Sequence, residues 1–214
     1  VGTCLMGIDA GGGGVRCLVV DQDGTQRASA ERVWSPHPDL SAGPFALDLD
    51  HAAFRRAFIR AVREATARSG VVPRDVAAIG VTGMRLSTVL LNGEGEVLFA
   101  VPNRDGRAAS ESSELAQRYG WELNQRTGHW PFPASMAARL LWLRANRAEA
   151  LLNAAHVLGL AEWLVYLLTG VAATEASLAA ETLLLDVATG DWADDVVRQL
   201  GVSSSLLPPV CRAG

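Results

Sequence analysis

The run Gly7-Ile8-Asp9-Ala10-Gly11-Gly12-Gly13-Gly14 sets one carboxylate beside four consecutive glycines. With no Cβ atoms, such a turn can take positive φ and lets an anion such as a phosphate approach the backbone amides closely. An aspartate beside it can hold Mg²⁺. A plain hairpin turn needs one or two glycines, whereas four in a row lose conformational entropy that a turn alone does not require. The spacing Gly-x-Gly-x-x-Gly is not met and the following segment reads as strand, so a dinucleotide-binding strand-to-helix turn is excluded. All 19 basic residues are arginine, and without lysine no Walker-type phosphate loop exists in the chain.

The elements that position this run are legible on either side of it. Cys4 to Ile8, Val15 to Asp21 and Thr25 to Val33, joined by tight turns, predict an antiparallel three-strand meander in which Asp9 ends the first strand. A loop from Trp34 to Pro44 leads to a helix from Asp50 to Arg68, with Phe54, Phe58 and Val62 on one face, Asp50 as N-cap and Gly70 as stop. Val76 to Thr82 is a continuous apolar run of the kind buried on both faces of a sheet. Ser87 to Leu91 and Glu96 to Val101 predict a hairpin. From Arg107 onward helices dominate: Ala108 to Tyr119, Met136 to Asn146, Ala148 to Ala154, Ala161 to Thr169 and Asp194 to Leu200. Strand-like pieces fall at His156 to Leu158 and Leu183 to Val187. The expected class is α/β, a mixed sheet built from the meander and further strands, with helices on both faces.

Composition narrows the function. A 214-residue chain with 49% hydrophobic residues can bury one substantial core, in one domain or a two-lobed one. A net charge of -4 argues against a nucleic-acid or anionic-membrane surface. The three cysteines, Cys4, Cys17 and Cys211, lack metal or disulfide spacing, as do the four histidines, so a reducing, cytoplasmic setting is expected. No basic segment leads into an apolar one at the N-terminus, and the apolar stretch at Trp163 to Leu168 is too short to span a bilayer.

The strand, Asp9-Ala10-Gly11, strand order resembles the opening Asp-x-Gly-Thr-Thr/Ser of the FGGY carbohydrate kinases, within the sugar kinase, Hsp70 and actin fold group. Ala78-Ile79-Gly80-Val81-Thr82-Gly83-Met84-Arg85 resembles that family's substrate-contact segment, and Asn103-Arg104-Asp105-Gly106-Arg107-Ala108 its Trp-x-Asp-x-Arg stretch. Leu140-Leu141-Trp142-Leu143, Tyr166-Leu167-Leu168-Thr169-Gly170, Thr182-Leu183-Leu184-Leu185-Asp186 and Asp191-Trp192 follow in the family order, so the resemblance covers essentially the whole chain.

The resemblance implies a ribonuclease-H-like, sugar-binding N-terminal domain over 1–214, with ATP and Mg²⁺ as cofactors and phosphoryl transfer to a sugar or polyol hydroxyl as the reaction. It implies Asp9 as the catalytic metal-and-phosphate carboxylate, the amides of Gly11, Gly12 and Gly13 with Arg16 at the phosphates, and Met84, Arg85, Asn103, Asp105 and Trp130 at the sugar. Two departures stand out: Gly12 and Gly13 replace the usual hydroxyl residues, and the aromatic near Asn103 is missing. The general base and the nucleotide-closing domain are expected beyond Gly214, on the same or a separate chain, so the 214 residues alone are expected not to turn over. A non-catalytic sugar-binding or regulatory module of the same fold is the alternative, and a homodimer is left open.

Overall fold

The computed structural model of the protein describes residues 3–213. Its residues group into two compact units: the chain up to Pro36 with Leu49–Met84, and His37–Asp48 with the chain from Arg85 onward.

In the first unit, β1 (Cys4–Gly11), β2 (Gly14–Asp21) and β3 (Gln26–Val33) form the antiparallel meander. The short strands β4 (His37–Pro38) and β5 (Leu47–Asp48), which belong to the second unit, precede helix α1 (His51–Ser69) and strand β6 (Val76–Gly83). β6 pairs parallel with β1, giving the order β3-β2-β1-β6. Strand periodicity divides β1 cleanly: Cys4, Met6, Ile8 and Ala10 are buried, and Leu5, Gly7 and Asp9 alternate with them on the other face. α1 packs on β2 and β3 through Phe54, Ala57, Phe58, Ala61 and Ala65. The Asp50 carboxylate accepts from the Ala53 amide at 2.8 Å, and Gly70 stops the helix at φ 66°.

Two expectations change here. β1 runs on to Gly11, so Asp9 lies within the strand rather than at its end. β6 is not buried on both faces; it is the edge of the sheet, with Ala77, Ala78, Ile79 and Gly80 all exposed. An apolar run reports suitability for a covered parallel strand, but covering depends on neighbours, and the described residues supply one only at β1.

In the second unit, β7 (Thr88–Leu91) and β8 (Val97–Val101) form a hairpin that β9 (His156–Leu158) extends on the β7 side. Helices α2 (Ala109–Thr127), α3 (Met136–Asn146), α4 (Ala148–Leu152) and α5 (Leu160–Thr169) supply most of the remainder. After them come β10 (Thr174–Glu175), α6 (Ala176–Ala180), β11 (Leu185–Asp186), β12 (Asp191–Trp192), α7 (Asp194–Gln199) and β13 (Val210–Cys211). Leu90, Val101, Leu115, Leu140, Leu143 and Val197 lie in its core. α2 continues past the expected end at Tyr119 to Thr127, and Gly120 within it is a packing residue: a Cβ there would come within 2.8 Å of the Trp130 ring. The predicted strand at Leu183 to Val187 shrinks to Leu185–Asp186 because Leu183 is left-handed, at φ 65°. No helix among the described residues is long and apolar enough to cross a membrane.

The loops of this second unit hang on a buried charge cluster. Arg139 of α3 is fully buried. It donates to the carbonyl of Leu86 (2.5 Å), the hydroxyl of Thr88 (3.2 Å) and the carbonyls of Pro102 (2.6 Å) and Asp105 (3.2 Å). Its Nε lies 3.4 Å from Asp105 Oδ2. Arg107 donates to Asp105 Oδ1 (2.7 Å), the Leu47 carbonyl (2.9 Å) and the Asp48 carboxylate, and its guanidinium lies over the rings of both Phe99 (5.1 Å) and Trp142 (5.0 Å). Asp105 Oδ1 also accepts from the Leu47 amide at 3.0 Å. Burial pushes the Arg139 pKa down to about 10, with Asp105 opposing, so the guanidinium is still charged at neutral pH.

Removing one partner of such a cluster strands the others without a countercharge. Asp105→Asn should therefore cost about 3–5 kcal/mol in urea unfolding, whereas Asn103→Ala on the same turn should stay within about 0.5 kcal/mol. A loss below about 1 kcal/mol for Asp105→Asn would contradict the cluster's role.

Candidate functional site

At the glycine turn, Asp9 of β1 is exposed and stands in register with Arg16 of β2 on one side and Thr82 of β6 on the other. Directly opposed residues on neighbouring strands project to the same face, so carboxylate, guanidinium and hydroxyl share one surface. A shallow depression of about 460 Å³ there includes Gly7, Asp9, Arg16, Leu18, Gly80 and Thr82 in its lining. Arg16 also reaches Glu31 at 3.3 Å, a largely exposed ion pair that leaves it free to exchange partners.

Gly11 and Gly14 pair across the turn, and Gly12 and Gly13 form its exposed tip. The positive φ suggested by the glycine run occurs at none of the four. Steric space explains only one of them. A Cβ at Gly14 would crowd the Arg32 carbonyl (3.2 Å) and Glu31 Oε1 (3.3 Å). At Gly12 it would meet only Met84 Sδ at an ordinary 3.7 Å, and at Gly13 nothing within 4 Å. The bare tip is thus not demanded by the fold, and its openness is what a bulky anion needs. The Trp34 indole and amide hold the carbonyls of Gly11 (3.0 Å) and Gly13 (3.3 Å). Met84, expected at the sugar, instead lies buried beside the turn, its amide donating to the Ala10 carbonyl at 2.8 Å.

Among the described residues no group of three or more His, Cys, Asp or Glu side chains is placed to hold a metal. One exposed carboxylate at an open turn nevertheless fits Mg²⁺, which keeps several waters and takes phosphate oxygens alongside one or two carboxylates.

The second unit carries the other predicted residues. Arg85 is largely exposed and its Nη1 donates to Glu181 Oε1 at 2.6 Å. Asn103 is exposed on the turn closed by the Asp105 amide and the Pro102 carbonyl at 3.2 Å. Arg139 bonds the Leu86 and Pro102 carbonyls, so one buried side chain joins the Arg85 loop to the Asn103 turn. Asp105 is only 1% exposed, and its carboxylate faces Arg107, Arg139 and the Leu47 amide. Its burial keeps it from solvent, and through Arg107, Arg139 and the Leu47 amide it holds the neighbouring loops. Trp130 is half-exposed, with its ring against Gly120 of α2.

Two residues escaped sequence reasoning. Glu181 anchors Arg85, a contact spanning 96 residues that no spacing signals. Phe45 is 72% exposed beside the Asn103 turn, its carbonyl accepting from the Gly106 amide at 2.9 Å. A Cβ at Gly106 would lie 3.1 Å from that of Phe45, so this glycine permits the close approach. Phe45 therefore offers an aromatic face next to the turn where the usual aromatic is missing.

Comparison with known proteins matches this arrangement throughout its length. The profile of the FGGY family of carbohydrate kinases, N-terminal domain, fits residues 4–214. The autoinducer-2 kinase of Escherichia coli (strain K12) is 32% identical over 214 residues, 98% of this chain and 40% of that protein. That of Salmonella typhimurium (strain LT2) is 31% identical over 216 residues. The crystal structure of xylulose kinase from Rhodospirillum rubrum superposes with a TM-score of 0.88 at 25% identity, over 97% of this chain and 42% of that one. Gluconate kinase from Lactobacillus acidophilus superposes at 0.86 with 21% identity. The chain spans about 40% of the length of the curated relatives it matches. With motif order, fold and sequence in agreement, the chain belongs to the FGGY family of carbohydrate kinases, as its N-terminal domain.

Proposed function

We propose that this chain is the sugar-binding part of an ATP-dependent carbohydrate kinase, which transfers the γ-phosphate of ATP to a hydroxyl of a sugar or polyol. The exposed Asp9 beside an unobstructed glycine tip carries the reading, because phosphoryl transfer rests on positioning and charge neutralisation. Mg²⁺ would supply the neutralising charge at the transferring phosphate. Asp9 would hold it, with Gly11, Gly12 and Gly13 offering backbone amides and Arg16 a second positive charge.

On the sugar side, Arg85 and Asn103 would hydrogen-bond hydroxyls, Phe45 and Trp130 would offer faces to C–H surface, and Asp105 would fix the loops. The general base and the nucleotide-closing part would come from further polypeptide, in the same chain or another, and the setting would be cytoplasmic. The relatives named for autoinducer-2 make that compound a candidate substrate beside the pentuloses, polyols and sugar acids. The bare Gly12 and Gly13, which have room for hydroxyl side chains and carry none, favour a second reading: a sugar-binding module without phosphoryl transfer.

A thermal-shift screen of autoinducer-2, D-xylulose, glycerol and D-gluconate tests sugar binding. A hit at 100 times its dissociation constant should add about 2.7 kcal/mol of stability. Arg85→Ala should abolish the shift while costing the ligand-free protein no more than about 1–2 kcal/mol, because Arg85 itself is largely exposed although Glu181 is not. A retained shift would remove Arg85 from the site. The readings separate when the nucleotide-closing part is supplied: the kinase reading expects sugar-dependent ADP release that Asp9→Asn lowers by about 100-fold or more, and the module reading expects none.

The turn gives an independent check on the glycines. Gly13→Ala should leave stability unchanged or raise it by about 0.4–1 kcal/mol, whereas Gly14→Ala should cost about 1–3 kcal/mol by overpacking. Equal losses at both positions would mean that the fold itself requires the bare tip.

A further inference from the structure

We infer that Arg85 and Glu181 act as one charge-balanced donor–acceptor pair, which selects an uncharged polyhydroxyl substrate and disfavours a sugar acid. The inference rests on the reading of Arg85 as a sugar contact. An isolated arginine is a fork of donors that suits a carboxylate at least as well as hydroxyls. Here Nη1 of Arg85 is already engaged by Glu181 Oε1 at 2.6 Å. The Glu181 side chain is 17% exposed and that of Arg85 71%, so the carboxylate is the fixed member and the guanidinium lies over it, open to solvent.

The backbone on both sides shows that this pair is built in. Leu86 and Leu183, at φ 59° and 65°, are the non-glycine residues with left-handed backbone among those described, and they follow Arg85 by one position and Glu181 by two. Such conformations persist only where the surroundings enforce them, and they concentrate at functional sites. Arg139 holds the Leu86 carbonyl at 2.5 Å, and Leu183 is fully buried. Between Glu181 and Leu183, the Thr182 hydroxyl donates to the Ala179 carbonyl (2.6 Å) and the Thr182 carbonyl accepts from the Ala137 amide of α3 (3.1 Å).

A pair held this way treats ligands unequally. A hydroxyl both donates and accepts, so neighbouring hydroxyls can bond an Arg85 N–H and a Glu181 oxygen together. A ligand carboxylate can only accept, and it brings negative charge next to Glu181, a juxtaposition that discriminates against it.

Isothermal titration of the purified chain, wild type and Glu181→Gln, with D-xylulose and glycerol as uncharged probes and D-gluconate as the anion tests this. The wild type should bind at least one uncharged probe about tenfold or more tighter than gluconate. Glu181→Gln should shrink that ratio by about tenfold, through a gain in gluconate affinity. Gluconate binding to the wild type as tightly as the uncharged probes overturns the inference while leaving a sugar site in place. So does a ratio unmoved in a Glu181→Gln protein that melts like the wild type. Binding of none of the probes defeats the sugar-contact reading and the inference together. If Glu181→Gln does not fold, the wild-type ratio decides alone.

Discussion

The fully buried Arg139 is the constraint on which the loops carrying Phe45, Arg85 and Asn103 depend. A guanidinium withdrawn from water is costly unless a countercharge and hydrogen-bond acceptors offset its burial. Its hydrogen-bonding partners are backbone carbonyls of Leu86, Pro102 and Asp105 and the Thr88 hydroxyl, so satisfying it fixes where those loops run. Asp105 supplies the countercharge and shares it with Arg107, which extends the network to Leu47 and Asp48. Three segments distant in sequence are thereby set by one cluster, and they carry Phe45, Arg85 and Asn103. Arg139, Asp105 and Arg107 are themselves buried, while Phe45, Arg85 and Asn103, which they position, are exposed.

The glycine turn obeys a different logic. No buried charge governs it; the strand alternation of β1 and β2 decides that Asp9 and Arg16 share the uncovered face. Of its glycines, only Gly14 is sterically required. The tip is therefore open and unstrained, so the replacement of the hydroxyl residues at Gly12 and Gly13 is not explained by packing.

Local rules made the scaffold of the first unit readable. Period-two alternation gave β1 to β3, and Asp50 and Gly70 bounded α1 through cap chemistry that acts within a few residues. What failed were features that depend on distant partners. α2 runs past its expected end at Tyr119, and the space that Gly120 leaves there is taken by Trp130, ten residues on. The apolar β6 looked covered, yet cover is a property of neighbours. Arg139, beside Leu140-Leu141-Trp142-Leu143, carries no local signal that carbonyls up to 53 residues away await it. Asp105, which the motif resemblance places at the sugar, lies buried between two arginines and holds the neighbouring loops, an arrangement set by partners distant in sequence.

Amide hydrogen exchange measures directly whether the buried cluster holds the loops of Phe45, Arg85 and Asn103 in register. Two amides report the loop junction: Leu47, bonded to Asp105 Oδ1, and Gly106, bonded to the Phe45 carbonyl. In Arg107→Met, the account predicts that both lose protection by about tenfold or more, while the Asn92 amide in the β7–β8 turn, bonded to Glu96, keeps its wild-type rate. Unchanged protection at Leu47 and Gly106 would contradict the account.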